Sequence, residues 1–311
     1  MRDNSSREET EMKGGGRVAL ASCDPFPPVG DDEGPLRAAL AAHGLTASDP
    51  PWDADVDWSA FDAVLLRTTW DYQFRCDAFV AWCERASRAT RLFHGPRIVR
   101  WNVDKRYLAA LGERGVPLAE TLWVAPGEGR AALDEARRRG WSRAFVKPVV
   151  GANAAFTLRF AIDAPGFAAA LEHIASAPEH AFMLQPYLAS VEAEGEVSVI
   201  VIDGEPTHGV RKVPAPGDYR VQEDWGARDE AWRPEEAALA IARRAIDVAT
   251  AILGEPLLYA RVDLLVGERG YVLNELELVE PALFFRHGPR AAERLAAALA
   301  REVRRPFSAP A

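Results

Sequence analysis

The stretch LLYARVDLLVGERGYVLNELELVEP, residues 257–281, decides how this chain reads. Apolar and charged residues alternate on both sides of Glu268-Arg269-Gly270, the pattern of two strands joined by a tight turn. A three-residue loop with Gly270 in the left-handed position pairs Gly267 with Tyr271, Leu265 with Leu273, Asp263 with Glu275 and Arg261 with Glu277. Side chains alternate faces along a strand, so Arg261, Asp263, Glu275 and Glu277 share one face. Val262, Leu264, Val272, Leu276 and Leu278 form the opposite, core-facing side. Glu280 falls on that other face at the strand end and reads as structural. Directly opposed carboxylates destabilise a sheet unless a cation compensates. A hard divalent ion bridged to phosphates would do so with few protein carboxylates. The bland alternative is a solvated polar face whose charge is spread by Arg261 and nearby lysines.

A metal–phosphate site needs cations, and three lysines stand out. Lys105 falls in the first turn of a helix, DKRYLAALGERG, that Asn102 is suited to cap; the helix dipole disfavours a cation there unless an anion is near. Lys147 interrupts the apolar strand AFVKPVV directly before Pro148. Lys212 ends the strand HGVRK. Any one of them reads equally well as a snorkelling surface lysine, but the three together less so. Further upstream, the buried-type strand FDAVLLR (61–67) runs into RTTWDYQ. Its end is where open α/β sheets bind ligands. Arg67 is placed there to clamp a substrate carboxylate, with Trp70, Asp71 and Tyr72 lining a small pocket and Asp71 meeting an amine. The alternative makes Asp71 a helix cap among packing aromatics.

At roughly 150 residues per domain, 311 residues suggest about two domains. Residues 1–16 read as a disordered tail, polar and ending in three glycines. Strands at 17–22, 61–67 and near 97–100 alternate with helices around Leu36–His43 and over 75–88, which predicts a small parallel α/β domain over 17–100. Residues 101–311 read as α+β. Strands fall at 119–124, 143–149, 156–160 and 181–185, helices at 129–139 and 165–175, and a hairpin turns at Asp203-Gly204. A long helix spans 234–253, a last helix follows Pro289, and 213–233 is a candidate lid.

Lys plus Arg number 37 against 46 Asp plus Glu, a net charge of −9, which argues against bulk nucleic-acid or anionic-membrane binding. No apolar run approaches the 18 or so residues of a membrane span. Cys23, Cys76 and Cys83 form no Cys-x-x-Cys pair, and the polar start lacks a signal-peptide core, so a cytoplasmic protein with free thiols is expected.

Lys105, Lys147-Pro148, LQPYL (184–188), GEVSVIVIDGEP (195–206), RKVPAPGDYR (211–220) and the acidic strand pair ending at Pro281 occur in an order that resembles the ATP-grasp superfamily. Residues 183–281 resemble bacterial glutathione synthetase. LRTTWDYQ (66–73), RWNVDKRYL (100–108), PGDYRVQ (216–222) and LYARVDLL (258–265) resemble more closely the O-ureido-serine cyclo-ligase type of cycloserine biosynthesis. The resemblance implies an ATP-grasp fold behind a small pre-ATP-grasp domain, with a hinge near 184–188. It implies that Lys105 and Lys147 contact ATP phosphates, that Gln185, Tyr187 and Leu188 hold the adenine, and that Glu196 holds the ribose. Asp263, Glu275 and Glu277 would bind Mg²⁺ (or Mn²⁺), while Lys212, Arg220 and Arg261 hold phosphate and substrate carboxylate.

The activity so implied is ATP-dependent carboxylate–amine ligation through an acyl phosphate on a small amino-acid-like substrate, with intramolecular cyclisation favoured by a compact pocket. A two-substrate peptide-bond ligase, or a nucleotide-binding module without ligase chemistry, are the alternatives. Such proteins often self-associate, so a homo-oligomer is compatible with the resemblance. Two departures stand out: the phosphate loop VVGANAAFT holds a single glycine, Gly151, and Glu277 occupies the usual place of a metal-binding Asn.

Overall fold

The computed structural model describes residues 15–27 and 32–309. The expected tail lies outside the described residues as far as residue 14; Gly16 already accepts a hydrogen bond from Thr46 N at 2.8 Å. The described residues form three sheets. Strands β1 (Arg17–Ser22), β2 (Thr46–Ser48), β3 (Ala63–Thr68) and β4 (Arg91–Phe93) form a parallel sheet in the order β2-β1-β3-β4. Helices α1 (Glu33–Ala42) and α2 (Cys76–Ala89) complete this unit.

The strand expected near 97–100 is displaced to β4, and those residues form helix α3 (Pro96–Asn102) instead. Pro96 sits in the first turn, where its fixed φ and missing N–H favour a helix start. Asn102 ends α3 rather than capping the next helix. Its side chain donates to Leu276 O and accepts from Leu278 N, both at 2.8 Å. Helix α4 (Tyr107–Gly112) begins later than expected. Lys105 therefore lies in the turn before it, its N–H bonded to Val149 O at 2.8 Å, and does not oppose a helix dipole in a first turn.

Strands β5 (Leu122–Val124), β6 (Arg143–Pro148), β7 (Leu158–Ala161) and β8 (Phe182–Pro186) form an antiparallel sheet ordered β5-β8-β6-β7. Helices α5 (Gly129–Arg138) and α6 (Ala164–Ala175) close one face, burying Leu133, Phe167 and Ile174 against Val124, Val146 and Phe182. The short helix α7 (Ser190–Glu194) leads on to the central sheet.

That sheet is antiparallel, ordered β11-β10-β9-β12-β13, from β9 (Glu196–Ile202), β10 (Glu205–Val213), β11 (Arg228–Trp232), β12 (Tyr259–Gly267) and β13 (Gly270–Glu277). Asp203 and Gly204 both have positive φ, 52° and 77°, as a two-residue primed turn requires. Strand β11 takes up part of the expected lid, leaving 214–227 as the segment that crosses the cleft. Helix α8 (Glu236–Leu253) packs Ala242, Ala245 and Leu253 on Val199, Val262 and Leu276. Helix α9 (Pro289–Val303) returns to the first unit: Leu295 and Leu299 share one core with Leu20 and Leu36, and with Ile200 and Tyr259. Among the described residues no helix is long and apolar enough to cross a membrane.

The decisive hairpin differs from expectation at its tip. Glu268-Arg269 is a two-residue turn between paired Gly267 and Gly270, and Leu264 pairs with Leu273. The register then shifts, so that Asp263 faces Glu275 and Arg261 faces Glu277 as expected. Asn274 is the extra residue of a β-bulge that absorbs the difference. In consequence Leu273, not Val272, joins the core.

Candidate active site

A cavity of about 620 Å³ opens between the charged face of the central sheet, the β5–β8 sheet and the first unit. Lys105, Lys147, Gln185, Tyr187, Leu188, Glu196, Lys212, Arg220, Arg261, Asp263, Glu275 and Glu277 all line it, and Arg67, Trp70 and Tyr72 meet them from the first unit. Asp71 does not join them. Its carboxylate accepts from Trp52 Nε1 at 2.8 Å and pairs with Arg75, which corrects the reading of it as an amine receptor.

The floor of the cavity is an alternating ion network. Asp263, 2% exposed, accepts from Arg261 Nε at 3.0 Å and Ser198 Oγ at 2.6 Å, with Lys212 Nζ at 3.3 Å. Although burial opposes its charge, Arg261 and Lys212 hold its carboxyl well below the usual range. Arg261 also pairs with Glu277, and Lys212 with Glu196. Glu275 faces Lys105 Nζ at 2.9 Å and Lys147 Nζ at 3.9 Å. Burial lowers the Lys147 pKa, whereas for Lys105 the nearby Glu275, Glu277 and Glu280 outweigh burial and raise it. Burial, then repulsion by Asp263 and Glu275, pushes Glu277 up to about 7 despite Arg261.

Glu275 and Glu277 line the cavity from the same face of one strand, an oxygen donor set that fits a hard cation. Among the described residues no three acidic or imidazole groups form a ready metal cage. Glu275 is drawn to lysines and Glu277 to Arg261; Asp263 lies deeper and is committed to Arg261 and Lys212. Mg²⁺ carried in on phosphates needs only one or two carboxylates, and Glu275 and Glu277 are the more accessible.

The roof is made of two loops that touch. In the loop after β6 Asn153, Ala154 and Phe156 take left-handed φ of 53°, 53° and 56°, conformations that glycines would adopt at no steric cost. Lys105 Nζ donates to Gly151 O at 2.7 Å, and Gln73 Oε1 accepts from Ala152 N at 2.5 Å. Trp225 Nε1, from the crossing segment, donates to Asn153 O at 3.3 Å. Arg220 stacks 3.6 Å over the Trp225 ring and pairs with Asp218.

On the first-unit side, Arg67 is 3% exposed and its fork is filled: Nε meets Glu33 Oε1 at 3.0 Å and Nη1 meets Pro281 O at 3.0 Å. It braces the wall rather than offering an open clamp, because buried Glu33 reaches it first. Sequence reasoning missed Glu33, Gln73, Asn274 and the cavity-facing position of Glu280. Asn274 and Glu280 lie inside the quoted stretch, but only the bulge and the turn after β13 aim them into the cavity.

Two family models match. The N-terminal domain of D-cycloserine synthetase DcsG covers residues 18–94, and the prokaryotic glutathione synthetase ATP-grasp domain covers residues 132–283. The cycloserine biosynthesis protein DcsG of Streptomyces lavendulae is 36% identical over 93% of this chain and 99% of its own. This chain belongs to the ATP-grasp ligases. ATP-grasp ligases are ATP-dependent enzymes that form C–N bonds, and their fold extends through the solved relatives. The crystal structure of D-cycloserine synthetase DcsG superposes with a TM-score of 0.85 at 34% identity, covering 93% of this chain and 100% of that one. The ATP-grasp ligase PsnB, complexed with a minimal precursor variant, Mg and ADP, shares the fold at 19% identity, with a TM-score of 0.62 over 94% of this chain and 99% of its own.

Proposed function

We propose that this ATP-grasp ligase activates the carboxylate of a small amino-acid derivative as an acyl phosphate and closes it with a nucleophile on the same molecule. The observation that carries this reading is the likeness to DcsG along the whole chain, first unit included, because that unit supplies the cavity's substrate-side wall. By the same likeness the product belongs to cycloserine-type antibiotic biosynthesis.

ATP would lie between the β5–β8 sheet and the central sheet. Gln185, Tyr187 and Leu188 would hold the adenine, Glu196 the ribose, and Lys105 and Lys147 the phosphates. Mg²⁺ or Mn²⁺ held by Glu275 and Glu277, with Asp263 behind them, would neutralise phosphate charge. A substrate carboxylate oxygen attacks the γ-phosphorus and ADP leaves. The nitrogen nucleophile then attacks the acyl carbon and phosphate leaves. Arg261 and Lys212 face the developing oxyanion, and Arg220 is the lid cation nearest a substrate carboxylate once Asp218 releases it. Catalysis here is positioning and charge neutralisation, and an intramolecular nucleophile adds high effective molarity. The crossing segment 214–227 meets the phosphate loop at Asn153 and Trp225, and so shields the acyl phosphate from water.

The test incubates the enzyme, ATP and Mg²⁺ with each enantiomer of O-ureidoserine and with single and paired amino acids. ADP and a cyclised product from one compound alone are expected. A strict need for a second amine would replace cyclisation with two-substrate ligation.

A further inference from the structure

We infer that Glu280 is the cavity's receptor for the ammonium group of the substrate, and so the residue that selects amino acids over other small carboxylates. This rests on the ligase reading above. Three observations carry it.

The first is fixation of the backbone. Residues 280–284 form no ladder, yet their carbonyls are held one after another. Trp70 Nε1 donates to Glu280 O at 3.3 Å, Arg67 Nη1 to Pro281 O at 3.0 Å, and Arg261 Nη1 to Ala282 O at 3.4 Å. His208 Nε2 lies 3.1 Å from the carbonyls of both Leu283 and Phe284, and Asp32 accepts from Phe284 N at 3.1 Å. Phe284 is kept at φ 49°, a conformation a bulky residue holds only when its surroundings over-determine it. The loop so fixed presents one polar side chain to the cavity from its first position, Glu280, on the wall it shares with Trp70 and Tyr72.

The second is charge. Asp263, Glu275, Glu277, Glu196 and Glu33 each have a cationic partner within the chain. Among the described residues the Glu280 carboxylate has no ion pair and no hydrogen bond from another residue; only its own backbone N–H reaches it. Burial and the charge of Glu277 push it up to about 8 against the weaker pull of Lys105 and Arg261, so a cation brought beside it would hold it ionised.

The third is size. Trp70, held on the Glu280 carbonyl, and Tyr72 line the cavity with Glu280, and two bulky aromatics on this wall suit a primary ammonium on a short carbon chain better than a peptide. The chemical class is therefore a small α-amino carboxylate.

The test compares the wild type and Glu280→Gln by ADP release, using the best amino-acid substrate and its 2-hydroxy counterpart. The expected result is a KM for the amino acid at least tenfold higher in Glu280→Gln. ATP KM should stay within twofold, and the preference for amine over hydroxyl should fall at least tenfold. Glu280→Asp, which keeps the charge, should recover part of that preference, whereas a merely structural role would leave it unmoved in both variants. An unchanged preference in Glu280→Gln, or a wild type that favours the 2-hydroxy acid, overturns the assignment and leaves the ligase reading intact. A wild type that releases ADP with no carboxylate at all overturns both.

Discussion

The side-chain amide of Asn274 donates to the carboxylate of Glu196 across the full width of the strand between them. Asn274 is the one residue of β13 without a partner in β12, and the bulge it creates is what turns it toward Glu196, the residue proposed for the ribose. Asn274→Ala should therefore act on nucleotide binding and not on chemistry. A hydrogen bond to a charged group contributes about 1.5–3 kcal/mol, here shared with Lys212, so ATP KM should rise about three- to tenfold. Steady-state kinetics with ATP varied would show it, and kcat should stay within about twofold.

The two acids at the centre of the hairpin should separate stability from turnover. Asp263→Ala leaves Arg261 with Glu277 and Lys212 with Glu196, so it should lose only part of the about 3–5 kcal/mol that an uncompensated buried charge costs. Glu275→Ala takes the paired carboxylate from Lys105 and Lys147, but its side chain is 22% exposed and cavity water and Gly151 O take its place, so it should melt above Asp263→Ala while abolishing ATP turnover. Thermal melts and ADP release on both variants decide this. Equal melting temperatures would remove the structural role given to Asp263.

Stability of the ligand-free enzyme should fall between about pH 6.5 and 8. Burial raises Glu280 to about 8 when folded, so above its unfolded value the folded state keeps a proton that the unfolded chain has lost, and stability declines until the folded value is passed. His94 works the other way: burial lowers it to about 4, so its contribution is gained as pH rises from about 4 to 6.5 and is then complete. Melting temperatures across this range should drop in the wild type and drop less in Glu280→Gln.

The phosphate loop holds a left-handed alanine. Ala154→Gly relieves a strain of about 1–2 kcal/mol and loses part of that to the freer unfolded chain, for a net gain of about 0.5–1 kcal/mol. A small rise in melting temperature is expected, with kcat unchanged or improved. A fall would mean that the loop's observed backbone is not the resting one.

Much of the site was legible because it depends on alternation. Side chains two apart share a face whatever the turn does, so Arg261, Asp263, Glu275 and Glu277 could be grouped from spacing alone. The tip was misjudged by one residue, yet the acids stayed paired, since the bulge at Asn274 compensates. What spacing could not show was depth. Nothing local says that Asp263 is sealed by Ser198 and Lys212 while Glu275 reaches the cavity, or that Glu33 claims Arg67 from 34 residues away. The strand expected near 97–100 failed for a local reason: Pro96 starts a helix, and the three-residue strand Arg91–Phe93 already completes the sheet. Asp71 is claimed by Trp52 and Arg75, and nothing in its neighbourhood of sequence marks the indole 19 residues upstream as its partner.

The laced carbonyls of residues 280–284 have a consequence for how this enzyme could change. The cavity's roof is made of loops that meet through a few side chains. The opposite wall is tied to both halves of the molecule at once, by Arg67, Trp70 and Asp32 from one and by His208 and Arg261 from the other. Such a wall does not adapt to a visitor. A new substrate would have to come from replacing side chains on it, and each replacement would also test whether the two halves still hold together.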